Sequence, residues 1–92
     1  EADLVIVGHT HWPLDRRVGE TRVINLGSVS VPYPPDVSAS YYLLTANGTR
    51  HALEHRRVPY DVEAVVSQLK RQNHPGAAYL SMRLRGEIKP PW

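Results

Sequence analysis

The stretch V5-I6-V7-G8-H9-T10-H11-W12-P13 decides the fold, because an apolar run stops at a glycine and two histidines follow at once. A short, continuously apolar run is typical of a central strand buried on both faces of a sheet. Neutral imidazole is the commonest metal ligand in proteins, and open α/β sheets bind their ligands beyond the carboxyl ends of strands. Taken alone, His9 and His11 predict either a metal site or a loop whose imidazoles only form hydrogen bonds.

Composition bounds the class of protein before any motif is considered. With 92 residues there is room for one domain, and the 41% apolar content is typical of a folded globular chain. No run of about 18 apolar residues predicts a membrane span, and the acidic start does not resemble a signal peptide. The lack of cysteine excludes disulfides and thiolate metal sites, so we expect a cytoplasmic protein. The net charge of +2 fits a solvated surface or an anionic substrate, and nucleic acid is not an expected partner.

The hydropathy pattern predicts an α/β chain in which about four strands precede one or two helices. Asn47-Gly48 indicates a two-residue hairpin turn, because both residues tolerate positive φ. Asp61 is a good N-cap for a first helix, whose apolar side chains recur at helical spacing. The expected strands cover residues 3–7, 21–26, 40–46 and 49–58, a loop covers 8–19, the second helix covers 75–85, and a tail covers 87–92.

The balance of strands and helices indicates an incomplete domain. Residues 3–7 and 41–46 are predicted to be buried on both faces, yet one or two helices cover little of a sheet. We therefore expect the chain to be a fragment of a larger α/β domain. Residues 51–55 match H-x-x-E-H, the inverted zinc-protease signature, but that chemistry needs a helix and this segment follows a hairpin turn. His51 and His55 are accordingly expected to be exposed strand residues.

The order of the short motifs resembles the C-terminal part of the calcineurin-like metallophosphoesterase superfamily, and most of all its small bacterial phosphodiesterase branch. The pattern of that branch is GHTHxP, then NPGS, then a strand of the type ASYxLL. The chain departs from it at Leu26, where proline is usual, and at Tyr33, where arginine is frequent, and the second departure leaves the substrate preference open. The corresponding segments lie within residues 3–61 and are G8-H9-T10-H11-W12-P13, N25-L26-G27-S28 and A39-S40-Y41-Y42-L43-L44.

The resemblance implies a four-layer α/β sandwich with a dinuclear metal centre at the strand ends. Residues 1–61 would be the C-terminal sheet portion of this domain, and residues 62–92 its C-terminal helices and tail. His9 would bind one divalent ion and His11 the other, the ions being manganese, iron or zinc. A metal-bound hydroxide would attack the phosphorus of a phosphate ester. The full-length protein is thus expected to be a hydrolase, a phosphodiesterase that uses two divalent ions.

Other residues near the histidines are expected to support the metal loop rather than to react. Gly8 would let the backbone approach the site, and Asn25, Gly27 and Ser28 would shape the neighbouring turn, since asparagine and serine commonly bond local backbone. Trp12 is either a wall of the substrate cleft or a cap on the core beneath the loop. No residue of the chain is predicted to be catalytic in its own right.

Most of the metal ligands that the resemblance implies are missing from this sequence. The family carries two aspartates, an asparagine and two further histidines on motifs of the types DxH, GDxxD and GNHD, which do not occur in residues 1–92. The chain alone is therefore expected to be inactive, with the missing N-terminal portion of the domain as its partner. Two alternatives stay open, a non-catalytic scaffold or protein-binding module on the same fold, and a homo-oligomer that hides the apolar strands.

Overall fold

The computed structural model describes residues 2–89 of the chain. Within this part, five strands and two helices form a mixed α/β fold, which confirms the predicted class. Residues 90–92 of the predicted tail lie outside the described part, and the division of the domain after residue 61 stays a prediction. In chain order the elements are β1 (Leu4–Val7), β2 (Leu14–Val18), β3 (Thr21–Asn25), β4 (Ala39–Ala46), β5 (His51–Val58), α1 (Val62–Arg71) and α2 (Ala77–Leu84).

β1, β3 and β2 form one sheet, in that order. β1 runs parallel to β3, and β2 runs antiparallel to β3 on its other side. Branched side chains such as Val23 and Ile24 favour this pleated conformation. Because β1 and β3 are parallel, their carboxyl ends meet at one edge of the sheet, where Val7 pairs with Asn25. The loops that leave these two strands therefore start side by side.

Strand β2 corrects the prediction, which assigned residues 8–19 to a loop. All its residues are exposed, so it lacks the buried alternate positions from which a strand is predicted. It forms through main-chain pairing with β3 and through a tight turn in which Gly19 has φ +63°, a conformation that suits glycine. Its charged residues, Asp15, Arg16 and Arg17, are typical of an edge strand protected against further pairing.

β4 and β5 form the predicted hairpin, but its turn is not the predicted one. Neither Asn47 nor Gly48 has a positive φ. Instead, the Asn47 carbonyl Oδ1 accepts hydrogen bonds of 2.9 Å from the backbone N–H groups two and three residues further on. The connection is consequently longer, and Ala46 pairs with His51 rather than with Thr49. Since the register moves by two residues, every side chain keeps its predicted face of the sheet.

The helices follow the predicted order. α1 begins where predicted, because the Asp61 carboxylate accepts a 3.0 Å hydrogen bond from the backbone N–H three residues later. α2 is shorter than the predicted 75–85, and Gly86, with φ +72°, follows its end. Arg85 donates hydrogen bonds of 2.8 and 2.6 Å to Glu63, which join the two helices. Neither helix of residues 2–89 has the length and apolar character needed to cross a bilayer.

The buried core is small, and its members come from β3 and from both helices. Its buried aliphatic residues in the described part are Ile24, Val66 and Leu84, which are 0%, 2% and 4% exposed. Val65 and Leu84 face the loop after β3, where they share a cavity with Val29. The helices thus pack against the loop that leaves β3 and leave β1 uncovered.

Strand β1 is exposed, contrary to the prediction that residues 3–7 are buried on both faces. Val5, Ile6 and Val7 are 36%, 49% and 40% exposed, and the second half of β4, residues 43–46, is exposed as well. The apolar runs are present as the sequence requires, but no helix of residues 2–89 lies over β1. The same pattern that predicts burial therefore marks an apolar surface in this chain.

Candidate functional site

Two loops meet at the edge of the sheet where β1 and β3 end. The first, residues 8–13, carries the histidine pair, and the second, residues 26–31, follows β3. The backbone N–H of Leu26 donates to the carbonyl of Val7 at 3.4 Å, so the strands stay in register up to their last residues. Ligands of open α/β sheets bind beyond this edge. The parallel pairing therefore brings the predicted metal loop and the predicted supporting turn together.

His9 and His11 both adopt positive φ, at 76° and 63°. Such a backbone is uncommon for residues other than glycine, and two of them flank Thr10 in one short loop. The N–H of Thr10 donates to the carbonyl of Gly8 at 3.0 Å, which closes the tight curve. Strained conformations of this kind persist only where the surroundings hold them, and they cluster at functional sites. The outliers mark this loop as the candidate site.

The ring of His11 is oriented by a backbone carbonyl. Its Nδ1 lies 2.9 Å from the carbonyl oxygen of Val31, and a carbonyl oxygen can only accept. Nδ1 therefore bears the proton, and the neutral ring carries its lone pair on Nε2. Histidines that bind metals through one ring nitrogen commonly donate the other N–H to a carbonyl in this way. This geometry is compatible with the predicted role of His11 as a metal ligand.

The side chain of Asn25 forms hydrogen bonds to both loops. It is only 4% exposed, and its Nδ2 donates to the carbonyl of Gly8 at 3.1 Å and to the Thr10 hydroxyl at 3.0 Å. Its Oδ1 accepts from the N–H of Gly27 at 3.0 Å. Both amide hydrogens and the amide oxygen are thus used, as a buried amide requires. Asn25 positions the histidine loop through its backbone and through the residue between the histidines.

Gly27 occupies a place that only glycine fits. It has φ +77°, and a Cβ atom there would lie 2.7 Å from Ser40 Oγ and 2.9 Å from Pro13 Cγ. Next to it, Ser28 Oγ accepts a 3.0 Å hydrogen bond from the N–H of Val31, the residue whose carbonyl orients His11. Ser28 thereby acts on His11 through the backbone of the intervening loop.

Gly8, unlike Gly27, has room for a side chain. Its φ is not positive, and no atom of residues 2–89 lies within 4 Å of the place that a Cβ would take. The predicted close approach of the backbone at Gly8 stays a prediction.

Ser40 and His55 form a contact that the sequence did not predict. Ser40 is buried and donates its hydroxyl to the carbonyl of Leu26 at 2.9 Å, while His55 Nε2 lies 2.6 Å from the same Oγ. Because the serine has only one hydrogen, His55 must donate to it, which is the reverse of a serine activated by a base. The pair therefore supports the turn after β3 and is not a nucleophile.

His55 lies on β5, and the predicted strand at residues 51–55 is confirmed. His55 is exposed, as predicted. Its ring nevertheless stacks on the ring of Tyr42, with the centroids 4.6 Å apart and an angle of 8° between the ring planes. Partial burial of the ring, followed by the positive charge of Arg57, lowers the pKa of His55 below the ordinary value of histidine. A helical zinc-protease motif is absent from this segment because it is a strand.

A cleft opens directly beyond His11. Trp12 is 55% exposed and meets Tyr33 edge to face, with ring centroids 4.4 Å apart and planes at 81°. Exposure at this level favours the cleft wall over the core cap, the two roles predicted for Trp12. The cleft has a volume of about 270 Å³ and combines two aromatic residues, three prolines and an ion pair: Trp12, Tyr33, Pro13, Pro34, Pro35, Asp36 and Arg57.

The ion pair of this cleft is loose and partly exposed. Arg57 Nη1 lies 3.4 Å from Asp36 Oδ2. Hydrogen bonds from Ser38, followed by the charge of Arg57, lower the pKa of Asp36, so its carboxylate is charged at neutral pH. An exposed pair of this kind contributes little to stability. The ion pair places the guanidinium of Arg57 in the wall of the cleft.

Two imidazoles do not complete a metal site. Among residues 2–89, no three histidine, cysteine, aspartate or glutamate side chains come close enough together to hold a metal ion. The donor chemistry of His9 and His11 fits a divalent ion of the manganese, iron or zinc type, since imidazole suits all of these. The remaining ligands of any such ion would have to come from outside the described residues.

Comparison with known proteins shows the fold. The chain is similar to the crystal structure of a metallophosphoesterase from Sphaerobacter thermophilus, with a TM-score of 0.77 and 24% identity over 96% of this chain and 43% of that one. It is also similar to the hypothetical protein PH1004 from Pyrococcus horikoshii OT3, with a TM-score of 0.71 and 22% identity over 96% of this chain and 33% of that one. No family model and no curated protein matches the chain.

These likenesses define the class of fold. The chain has the mixed α/β fold of one part of a metallophosphoesterase. It spans less than half the length of either solved structure.

Proposed function

We propose that the chain is the C-terminal portion of a metal-dependent phosphoesterase, most specifically a phosphodiesterase of the small bacterial type. The observation that carries the proposal is the loop of residues 8–11. It places two histidines in strained backbone at the carboxyl end of β1, with one ring oriented by a backbone carbonyl. The similarity of the fold to the metallophosphoesterase from Sphaerobacter thermophilus supports the same conclusion. The proposed location is the cytoplasm.

In this proposal the residues of the chain bind and orient rather than react. His9 and His11 each hold one of two divalent ions of manganese, iron or zinc. When bound, two such ions polarise the phosphoryl group, supply a nucleophile at neutral pH and stabilise the charge that develops. Asn25 and Ser28 hold the loop, and Gly27 admits Ser40 beneath it. The 92-residue chain alone is proposed to be inactive.

We propose the rest of the same domain as the partner of β1. The two outer edges of the β1-β3-β2 sheet differ, because β2 is charged and β1 is apolar and exposed. Charged edges discourage further pairing, whereas apolar edges invite it. A second copy of the chain is the alternative occupant. Size-exclusion chromatography of the 92-residue chain tests this, since a clean monomer contradicts self-pairing.

The experiment that tests the function uses the full-length protein. It is purified, loaded with Mn²⁺ and assayed on bis(4-nitrophenyl) phosphate, with bound metal counted by mass spectrometry. His9→Ala and His11→Ala are expected to lose bound metal and nearly all hydrolysis. His51→Ala is the matched control, because His51 lies at the far end of β5 beside the hairpin turn, and it should keep both.

Hydrolysis that persists in both histidine variants would refute the assignment. A wild-type protein that binds no metal and hydrolyses no phosphodiester would instead favour the alternative, a non-catalytic scaffold or protein-binding module on this fold.

A further inference from the structure

We propose that the cleft beside Trp12 binds a planar aromatic group of the phosphate-ester substrate. This rests on the function proposed above, and it names the class of substrate. The cleft belongs to the candidate site by position, because Trp12 directly follows His11 and Pro13 packs near Gly27. A phosphoryl group held by the histidine loop would therefore carry its ester substituent toward this cleft.

The aromatic wall of the cleft is already in place. Trp12 is 55% exposed, and its edge-to-face contact with Tyr33 fixes the pair at 4.4 Å. Such a contact involves at most one face of the indole, and more than half of the surface of Trp12 is exposed to a planar ligand. Because the rings are held before binding, little side-chain freedom is lost on binding. Because only a planar ring can stack on the indole, the wall favours an aromatic ligand over an aliphatic one.

The remaining walls limit the size and charge of the ligand. Prolines at positions 13, 34 and 35 have fixed φ and give the cleft a stiff outline. A volume of about 270 Å³ lies just below the usual range of small-molecule sites and accommodates one ring system. Arg57 adds a positive charge and a planar guanidinium, which suits both an aromatic ring and a nearby phosphate.

Arg57 is also tied to the framework of the site. It pairs in register with Ser40, whose hydroxyl bonds to the carbonyl of Leu26 in the turn after β3. The cleft and the histidine loop are therefore supported by the same turn. An aryl ester is expected to gain both contacts at once, whereas a methyl ester gains only the contact to the phosphate.

The test measures binding without turnover. The full-length protein with Mn²⁺ is titrated calorimetrically with phenyl phosphate and with methyl phosphate. Wild type is expected to bind phenyl phosphate about tenfold more tightly, in line with stacking on an aromatic side chain. Trp12→Ala is expected to lose that factor for phenyl phosphate and to bind methyl phosphate within about twofold of wild type. Trp12→Phe should keep most of the preference.

A control and a kinetic assay complete the test. Val18→Ala alters another exposed apolar residue, which lies at the turn between β2 and β3, and should change neither affinity. Methyl 4-nitrophenyl phosphate has one aromatic substituent and phenyl 4-nitrophenyl phosphate has two, so Trp12→Ala should raise KM for both esters and leave kcat unchanged, whereas Val18→Ala should change neither constant. Hydrolysis of neither ester by wild type refutes the proposed function, while the titration still decides the cleft. Equal affinities in wild type, no binding of either phosphate, or equal losses in Trp12→Ala overturn the inference.

Discussion

Gly27→Ala should lower the free energy of unfolding strongly. The loss should exceed that of the same substitution at Gly19, the glycine in the turn between β2 and β3. The new Cβ would meet Ser40 Oγ at 2.7 Å, Pro13 Cγ at 2.9 Å and Ser40 Cβ at 3.0 Å. All three distances are shorter than ordinary contacts between such atoms, so the turn after β3 or the start of β4 must shift. The backbone adds a second cost, because φ at this position is +77°.

The magnitude follows from adding these two costs. A residue with a side chain in the left-handed region costs about 1–2 kcal/mol, and overpacking of a tight site costs about 1–3 kcal/mol. Gly27→Ala should therefore lower the free energy of unfolding by about 2–5 kcal/mol. For a domain of this size that corresponds to a fall in Tm of at least about 8 °C.

Gly19→Ala separates the two costs. Gly19 has a similar φ of +63°, but no atom of residues 2–89 lies within 4 Å of a Cβ built there. This variant should lose only the backbone cost, about 1–2 kcal/mol. Both variants are unfolded in urea and followed by circular dichroism, with the slope checked for two-state behaviour.

The steric origin can then be isolated by a double variant. Ser40→Gly removes both serine atoms that Gly27→Ala would strike, so the two changes combined should cost at least about 1 kcal/mol less than the sum of the single costs. The reasoning is refuted if Gly27→Ala costs no more than Gly19→Ala, or if the two changes at Gly27 and Ser40 are additive.

Three further predictions concern the support of the site and the fold. Asn25→Ala should destabilise by about 2–4 kcal/mol in urea unfolding, because it leaves buried partners in two loops without hydrogen bonds; an effect under about 1 kcal/mol would contradict this. Asp61→Ala should cost about 1 kcal/mol and Asp61→Asn much less, since only the cap is lost; equal costs would contradict the capping role. The folded-state pKa of His55 is lowered, so its contribution to stability is present above about pH 6.5 and lost as the pH falls through the folded pKa. His55→Gln should accordingly show a smaller loss of stability between pH 8 and pH 5 than wild type, and an unchanged slope would refute the effect.

Elements with a buried or capped pattern were predictable from the sequence. β1, β3 and β4 follow apolar runs, β5 follows the turn signal of Asn47-Gly48, and α1 follows a capping aspartate with helical spacing behind it. β2 was missed because an exposed edge strand buries no face, although its Gly19-Glu20 turn is a recognisable hairpin signal. The exposure of β1 was not predicted, because an apolar run shows that a strand favours burial but not whether another element of the chain covers it.

The site was predictable in its residue types and less so in its geometry. The positions of His9, His11, Asn25 and Gly27 follow from motif order, and the parallel pairing of β1 with β3 brings them together. The contact between Ser40 and its histidine depends on the β4–β5 register. That register is set by how the Asn47 side chain bonds in the turn, which the sequence alone does not specify. The aromatic cleft likewise depends on how the proline-rich loop folds back.

The carbonyl that orients His11 belongs to the main chain, and this affects how the site tolerates mutation. No substitution of the Val31 side chain deletes the hydrogen bond, because every amino acid at that position brings the same carbonyl oxygen. What the site needs is the backbone conformation, and Pro32 restricts the residue before it to extended angles. Position 31 should therefore tolerate a change of side chain better than position 32 does, provided that its N–H to Ser28 is kept. A search for conserved side chains around the histidines would overlook the group that aligns one of them.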